Sequence, residues 1–159
     1  MPDFKEDIHN VEELKKAIGW VVVDLRAIDM MPFLNDLLGN LETLHDNYFQ
    51  SATGPGNRVW PELAPATIAR KGHAEILVDT GRLKSSLTSQ TADSIRDAFQ
   101  EEGHAWVHFG TDVEYSHFHD EDALSLPQRP HVGLSEPDLD GISGQVLDYQ
   151  LSEMVKLVK

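Results

Sequence analysis

The segment Trp60–Leu87 constrains this chain more than any other, because its residues cannot be explained as a generic core. It opens with a Trp-Pro turn and continues into a short polar helix, predicted over Pro65–Lys71. Gly72 closes this helix in a left-handed C-cap position. The apolar run Ile76–Val78 follows, either as a strand or as a buried linker, and the sequence leaves both open.

The next five residues, Asp79-Thr80-Gly81-Arg82-Leu83, bring a carboxylate, a hydroxyl and a guanidinium together. Asp79 or Thr80 can cap another short helix, and Arg82 would then pair with Asp79 or with a neighbouring subunit. A catalytic role would use the same groups. We predict the structural or interface role, because a capped helix start explains the side chains without any reaction.

Composition indicates one soluble globular domain. For a chain of 159 residues, about 70% of the surface that the unfolded chain exposes can be buried on folding. The hydrophobic fraction of 40% and the charged fraction of 25% are ordinary for such a domain. Cysteine is absent, which excludes a disulfide framework and a thiolate metal site.

Charge and hydropathy exclude several partners. The N-terminus carries acids where a signal peptide needs a basic start and an apolar centre. No window approaches the roughly eighteen apolar residues of a membrane span, so we expect synthesis in the cytosol and no membrane partner. The formal net charge of −14 argues against nucleic acid as a direct partner, because the phosphates would be repelled.

The charge is unevenly distributed along the chain. Cations concentrate within 27 residues, at Arg58, Arg70, Lys71, Arg82 and Lys84. Acids concentrate in the segment 112–122. If the two segments lie on opposite edges of a subunit, head-to-tail association in a ring brings unlike charges together. Two solvated loops with an accidental bias explain the same pattern.

Helical spacing dominates the first part of the chain, and N-terminal helices are predicted over 10–50. Asn10 and Glu13 form an N-cap and capping-box pattern. The apolar residues that follow at helical spacing are Val11, Leu14, Ile18, Val21, Val22, Leu25 and Ile28. A strand over Val21–Val23 is the competing interpretation, and a short edge strand is predicted over 4–8.

A second helix is predicted with Pro32 in its first turn and an end near Ser51. Its apolar face comprises Leu34, Leu37, Leu38, Leu41, Leu44 and Tyr48. The turn-forming residues that follow predict an exposed loop over Ser51–Val59.

The region 75–134 is predicted to be mixed and rich in strands. Strands are predicted over Thr88–Ala92, Ser94–Phe99 and Ala105–Phe109, with a turn at Glu101-Glu102-Gly103. Alternation in the last strand suggests that it is covered at least partly on both faces. An antiparallel meander is the economical arrangement.

A C-terminal helix is predicted over 135–158, with Ser135 as N-cap, Pro137 in the first turn and Asp138 in the capping-box position. Its apolar stripe comprises Ile142, Val146, Leu147, Leu151, Met154 and Val158. Together the elements predict an α+β fold in which a small antiparallel β-sheet packs with two or three long helices.

Four ordered motifs resemble those of the phage virion morphogenesis family, the tail completion or neck proteins of Mu-like phages and their prophage relatives. The first motif is Trp60–Leu87. The others are Phe109-Gly110-Thr111, Tyr115 with His119, and Arg129-Pro130-His131-Val132-Gly133-Leu134-Ser135. The resemblance extends over residues 45–142 of a single domain, 1–159. The acidic triplet Asp120-Glu121-Asp122 departs from it, because the family commonly has a glutamine and a nearby glycine after the histidine.

The resemblance implies a structural protein and not an enzyme. It implies a tail-terminator-like or tail-completion-like fold, a role in tail completion or head–tail joining as a ring-forming homo-oligomer, and contacts with other phage tail or neck proteins. It places the protein in the cytoplasm of the bacterial host during assembly and then in the virion, without a cofactor. The motif and interface candidates are Trp60, Lys71, Asp79, Thr80, Arg82, Tyr115, His119 and Arg129.

Roles for some candidates also follow from the resemblance. Tyr115 is implied to pack under the sheet, with His119 on the same helical face. Replacing Arg82 or Arg129 by alanine is expected to leave the subunit folded and to lower particle assembly. The loops 51–59 and 120–128 are expected to become ordered when the next protein docks.

The alternative function is a metal-dependent hydrolase. On a strand, His117 and His119 would lie on the same side, and a nearby carboxylate could complete a set of zinc or manganese ligands. On a helix the two side chains would point about 200° apart. The motif pattern places a short helix or turn after Tyr115, so we expect no metal site here.

Overall fold

The computed structural model describes residues 28–120 and 126–157. The elements in chain order are α1 (Met31–Ser51), β1 (Thr53–Gly54), β2 (Arg58–Val59), α2 (Pro65–Lys71), α3 (Arg82–Thr88), β3 (Ser94–Glu101), β4 (His104–Thr111), α4 (His117–Asp120) and α5 (Glu136–Leu157). This mixture confirms the predicted α+β class. The edge strand predicted over 4–8 and the first helix, predicted from Val11, lie outside the described residues.

Helix α1 confirms the second predicted helix at both ends. Pro32 lies in its first turn, and Ala52 ends it in the left-handed conformation, with its N–H donating to the carbonyl of Tyr48. The buried face includes Leu34, Leu41 and Tyr48, as predicted, together with Phe33, His45 and Phe49. The helix therefore presents one apolar face to the rest of the molecule.

The exposed loop predicted over 51–59 is wrong in part, because the chain there folds into a small antiparallel hairpin. Strands β1 and β2 pair through Thr53 with Val59 and Gly54 with Arg58. A single 3₁₀ turn joins them, with Gly56 and Asn57 in the left-handed region. Turn-forming residues predict such a reversal as readily as an open loop, so composition alone did not separate the two.

The Trp60–Leu87 segment folds largely as its sequence indicates. Helix α2 ends at Gly72, whose φ of 79° gives the predicted left-handed cap. Of the two alternatives for Ile76–Val78, the linker is present: its side chains pack against the core without strand pairing. Gly81 is the N-cap residue of α3, so Asp79 does not cap the helix. The Thr80 hydroxyl does accept a long hydrogen bond, at 3.4 Å, from the backbone N–H of Arg82 at the helix start.

The predicted meander is reduced to one hairpin. Thr88 ends α3, and residues 89–93 form a bend and a turn, so the strand predicted over Thr88–Ala92 is wrong. Strands β3 and β4 pair antiparallel from Ser94 opposite Thr111 to Glu101 opposite His104. The turn falls at Glu102 and Gly103, as predicted.

One face of this hairpin packs on α1, and the other is open. Val107 and Phe109 are half-buried, whereas Trp106 and His108 are exposed in the described structure. The prediction that both faces are partly covered is therefore not met for the described residues. The alternation in sequence was that of a one-sided sheet, with aromatic residues on its outer face.

Helix α5 begins as predicted. The side chain of Asp138 accepts hydrogen bonds from both the backbone N–H (2.8 Å) and the hydroxyl (2.5 Å) of Ser135. Its predicted stripe divides, however: Val146 and Met154 pack on the body, whereas Leu147 and Leu151 are exposed. Val158 lies outside the described residues.

The described interior consists of two apolar clusters. We call the first the Trp60 cluster; its buried members are Tyr48, Phe49, Trp60, Leu83, Leu87 and Val113. The second is the Ile28 cluster, whose buried members are Ile28, Met30, Phe33 and Leu34. Helix α1 contributes to both and joins them. Within 28–120 and 126–157, no helix combines the length and apolar character that a bilayer crossing requires.

Candidate functional site

A cavity of about 1000 Å³ opens between α2, the linker that precedes α3, and the segment 126–129. We call it the motif cavity, because every candidate from the sequence except Trp60 lines it. Those residues are Lys71, Asp79, Thr80, Arg82, Tyr115, His119 and Arg129. The described fold thus brings together side chains that the sequence places in three separate motifs.

Trp60 lies in the core and not in the cavity wall. It is 2% exposed, and its Nε1–H donates to the carbonyl oxygen of Pro130 at 2.8 Å. Gly54 lies against the same carbonyl, so closely that a Cβ on Gly54 would overlap the oxygen. Gly54 and the Arg129–Ser135 motif therefore meet at the carbonyl of Pro130, where only glycine leaves enough room.

Arg129 is buried and structural. It is 7% exposed, and its guanidinium donates to the carbonyl oxygens of Pro61 (2.9 Å) and Glu62 (3.1 Å). Burial lowers the pKa of Arg129. Alanine at this position would remove both donors. The expectation that Arg129→Ala leaves the subunit intact is therefore revised: we expect this substitution to weaken folding as well.

Arg82 is exposed and holds three elements together. Its Nε and Nη2 donate to the two carboxylate oxygens of Asp93, each at 2.7 Å, and Nη1 donates to Glu114 at 3.1 Å. These hydrogen bonds raise the pKa of Arg82 and lower the pKa of Asp93. The predicted pairing of Arg82 with Asp79 is wrong. Arg82 instead joins the start of α3 to the start of β3 and the end of β4.

Asp79 pairs with a different arginine at the cavity rim. Its carboxylate lies 3.6 Å from the Nη1 atom of Arg70, and both side chains are well exposed. Lys71 beside them donates to the carbonyl of Glu75 at 2.6 Å. Partial burial lowers the pKa of Lys71, and Asp79 opposes that shift. These contacts fix the chain that follows α2.

The described lining of the motif cavity is more basic than the whole chain. Its cations are Arg70, Lys71, Arg82 and Arg129, and its acids are Glu62 and Asp79. Much of this positive charge is neutralised within the subunit, because Arg82 pairs with Asp93 and Glu114, and Arg70 pairs with Asp79. The arrangement of basic and acidic segments on opposite edges is therefore not formed, since Glu114 belongs to the acidic segment.

Tyr115 and His119 both make contacts within the subunit. Tyr115 packs against the Trp60 cluster. The ring of His119 meets the ring of His131 edge-on, with centroids 6.3 Å apart. The backbone N–H of Arg129 donates to the carbonyl of His119 at 2.7 Å. Helix α4 is therefore tied to the last motif.

Sequence reasoning missed two buried histidines. His131 is fully buried: its Nδ1 lies 3.1 Å from the carbonyl of Arg129, and its Nε2 lies 2.9 Å from the hydroxyl of Ser116. The Nδ1–H group donates to that carbonyl, whereas the Ser116 hydroxyl can donate to Nε2 or accept from it. The position of His131 inside a motif was the available signal.

The second missed histidine is His45 of α1. It is 1% exposed, its Nδ1 donates to the carbonyl of Leu41 at 2.7 Å, and its ring lies 4.7 Å from that of Phe109. Burial lowers the pKa of His45. Its helical spacing from Leu41 placed it on the apolar face, and that spacing was the signal that could have identified it.

The geometry does not favour the alternative metal site. His117 and His119 lie on the short helix α4, and they line different depressions: His119 the motif cavity, and His117 a shallower one beside Glu114. In the described part of the chain, no three His, Asp or Glu side chains converge as metal ligands would. The same-strand arrangement that the alternative required is not formed.

Comparisons with known proteins add no relative. No protein-family model, no curated protein and no solved structure matches this chain.

Proposed function

We propose that this protein is a structural subunit of a phage particle that acts in tail completion or head–tail joining, with the motif cavity as the surface onto which a neighbouring protein docks. The observation that carries the proposal is the convergence of the motif residues on one cavity. Residues as far apart as Lys71 and Arg129 line it together. Residues from separate motifs are expected to lie on one surface when a partner protein binds to that surface.

The bonding state of the lining supports a docking role. Arg129 is engaged with two backbone carbonyls, and Arg82 with Asp93 and Glu114. Side chains held in this way shape a rigid wall, and a rigid wall lowers the entropy cost of binding a neighbour.

Ring formation through heterologous contacts between copies is part of this proposal. It does not rest on unlike charges at opposite edges, because Glu114 of the acidic segment pairs with Arg82 inside the subunit, and Tyr115 and His119 of the same segment line the cavity. The proposed locations are the host cytoplasm during assembly and the virion afterwards.

The test is removal of the gene from the phage or prophage that carries it, followed by electron microscopy. The proposal predicts that heads and tails accumulate separately, or that tails lack a finished end, and that wild-type protein restores joined particles. Joined, infective particles in the absence of the gene would contradict it.

A charge-reversal pair tests the cavity itself. Lys71→Glu changes the rim of the motif cavity, and Lys156→Glu makes the same change on α5, where the side chain is exposed. We expect Lys71→Glu to fail in complementation while its circular dichroism stays that of the wild type. Lys156→Glu should complement. Equal complementation by both variants would assign docking to another surface.

A further inference from the structure

The four cations of the motif cavity fall into two classes. Arg70 and Arg82 are each paired with carboxylates of the same subunit. Lys71 and Arg129 are not: among residues 28–120 and 126–157, their side-chain nitrogen atoms form hydrogen bonds only to backbone carbonyls. A positive charge without a carboxylate partner is available to an anionic group of another molecule.

Arg129 is the more informative of these two cations, because its charge is buried. A buried guanidinium loses its hydration, and hydrogen bonds to two neutral carbonyls replace only part of it. Those bonds use Nε and Nη2. The remaining nitrogen, Nη1, donates to no atom of the described residues, and it is not enclosed either. Nη1 is therefore the part of the guanidinium that a ligand in the cavity can reach.

Lys71 contributes a second donor near Arg129. Its Nζ donates to the carbonyl of Glu75 at 2.6 Å, and the other N–H groups of the ammonium remain available. Burial is the main cause of the lowered pKa of Lys71, and the positive charges of Arg70 and Arg129 lower it further, although Asp79 and Glu75 oppose the shift. Lys71 and Arg129 thus repel each other, and an anion bound between them would relieve that repulsion.

Much of the remaining lining is apolar. Leu63, Leu77, Val78 and Leu126 contribute to the wall of the cavity. Beside an apolar wall, less solvent screens a charge-assisted hydrogen bond, so the bond is stronger than in open water. A ligand that combines an anionic group with an apolar side chain therefore matches both parts of the lining.

A protein carboxylate fits this site better than the phosphates of a nucleic acid. A nucleic acid is bound by many cations along its backbone, whereas only Lys71 and Arg129 of the described lining lack a carboxylate partner. The formal net charge of −14 would also repel a polyanion. A single carboxylate requires no more than these two donors.

We propose that the motif cavity binds a carboxylate of the neighbouring protein, with Arg129 Nη1 and Lys71 Nζ as its donors and an adjacent apolar side chain of that protein on the leucine-lined wall. The inference rests on the proposed docking role of the cavity and states the chemistry that the partner presents there. Arg129 then has two roles, because two of its nitrogen atoms hold the segment 61–62 and the third meets the partner.

Two peptides that differ in one group test the carboxylate. The first is N-acetyl-leucyl-aspartate methylamide, and the second is its asparagine analogue, which has nearly the same shape without the charge. Each is titrated into the full-length protein and followed by NMR at the Nε–H of Arg129 and the backbone N–H groups of Leu77 and Val78. We expect the aspartate peptide to bind at least about tenfold more tightly, because hydrogen bonds between charged groups are stronger than those to a neutral amide.

A pair of lysine substitutions locates the binding site. Lys71→Met removes one proposed donor from the cavity, and Lys156→Met removes a cation from the exposed side of α5. We expect Lys71→Met to reduce the preference for the aspartate peptide several-fold, with the circular dichroism of the wild type. Lys156→Met should leave the preference unchanged.

Equal affinity for the two peptides, no resonance shift with either, or the same loss in both lysine variants would overturn the proposal. So would binding that appears only in Asp120→Asn/Glu121→Gln/Asp122→Asn, because the acids of the chain itself would then fill the position. These titrations use the isolated protein and are separate from the test of particle assembly. Heads and tails that stay apart without the gene, combined with no preference for aspartate, would keep the assembly role and refute the carboxylate.

Discussion

The Trp60 cluster and helix α5 are built from similar apolar spacings, yet one is closed and the other half open. In the cluster, Leu83 and Leu87 lie one turn apart and are both buried almost completely. On α5, Leu147 and Leu151 have the same spacing, and more than half of each side chain is exposed. Spacing therefore determines which side chains share a face of a helix, but not whether another element covers that face.

The closed region differs in how its polar groups are satisfied. Ser86, fully buried between Leu83 and Leu87, donates to the carbonyl of Leu83 at 2.8 Å, and its oxygen lies 2.6 Å from that of Thr111. Trp60 and Arg129 likewise find carbonyl partners. Buried polar groups without partners are costly, so these bonds allow the cluster to close around them.

The largest expected effect on the free energy of unfolding comes from a pair of tryptophan substitutions, one in the Trp60 cluster and one on the outer face of the β3–β4 hairpin. Trp60→Ala should lower the free energy of unfolding by about 3–5 kcal/mol, because it removes a buried ring and the donor to Pro130. Trp106→Ala, at a position 38% exposed and stacked on Phe99, should cost about 1 kcal/mol. Urea unfolding followed by circular dichroism measures both. Equal losses would show that the hairpin face is as well covered as the cluster.

A pair of glycines gives the next largest effect. Gly54→Ala should destabilise by about 1–3 kcal/mol, because its Cβ would overlap the carbonyl of Pro130 and displace the partner of Trp60. Gly39→Ala on α1 meets nothing within 4 Å. It should stabilise by up to about 1 kcal/mol through helix propensity. If both substitutions are tolerated alike, the close approach at Pro130 is not maintained in solution.

The pH dependence of stability tests the buried histidine of the closed region. The folded-state pKa of His45 lies below its ordinary value of 6.5, so the folded protein resists protonation that the unfolded chain accepts. Above about pH 6.5, the titration of His45 therefore does not change the free energy of unfolding. Below that value the free energy of unfolding falls as the pH drops, because the unfolded chain takes up the proton more readily.

His45→Leu should reduce the loss of stability between about pH 7.5 and about pH 5.5, whereas the exposed control His104→Gln should not. The measurement is the urea midpoint at each pH. A wild-type midpoint that is the same at both pH values would be inconsistent with a neutral, buried His45.

The smallest effect on stability is expected for substitution of Arg82, whose side chain is exposed although it is hydrogen-bonded to Asp93 and Glu114. Arg82→Ala should lower the melting temperature less than Gly54→Ala does, because solvent and salt screen its pairs with Asp93 and Glu114. The difference from wild type should shrink further in about 1 M salt. A difference that is independent of salt would mean that Arg82 acts through packing and not through charge.

Several local features followed from sequence because short-range physics controls them. The ends of α1, the glycine cap of α2, the turn at Glu102 and the Ser135–Asp138 capping box each depend on neighbouring residues. The partners of Arg82 did not follow, since Asp93 and Glu114 approach it only when β3 and β4 pair. The hairpin at 53–59 was missed for the same reason, because its pairing depends on the contact with Pro130.

The sequence by itself determined the α+β class, the amphipathic helices and which residues form the motifs. Periodicity and helix caps depend on residues that are close in sequence. Only the tertiary structure decided that the motifs converge on one cavity, and that Arg129 is buried while Arg82 is exposed. It also decided that Leu147 and Leu151 of α5 are exposed in the part of the chain that the structure describes. Those outcomes depend on contacts between residues distant in sequence, and local sequence patterns do not specify which surfaces come into contact.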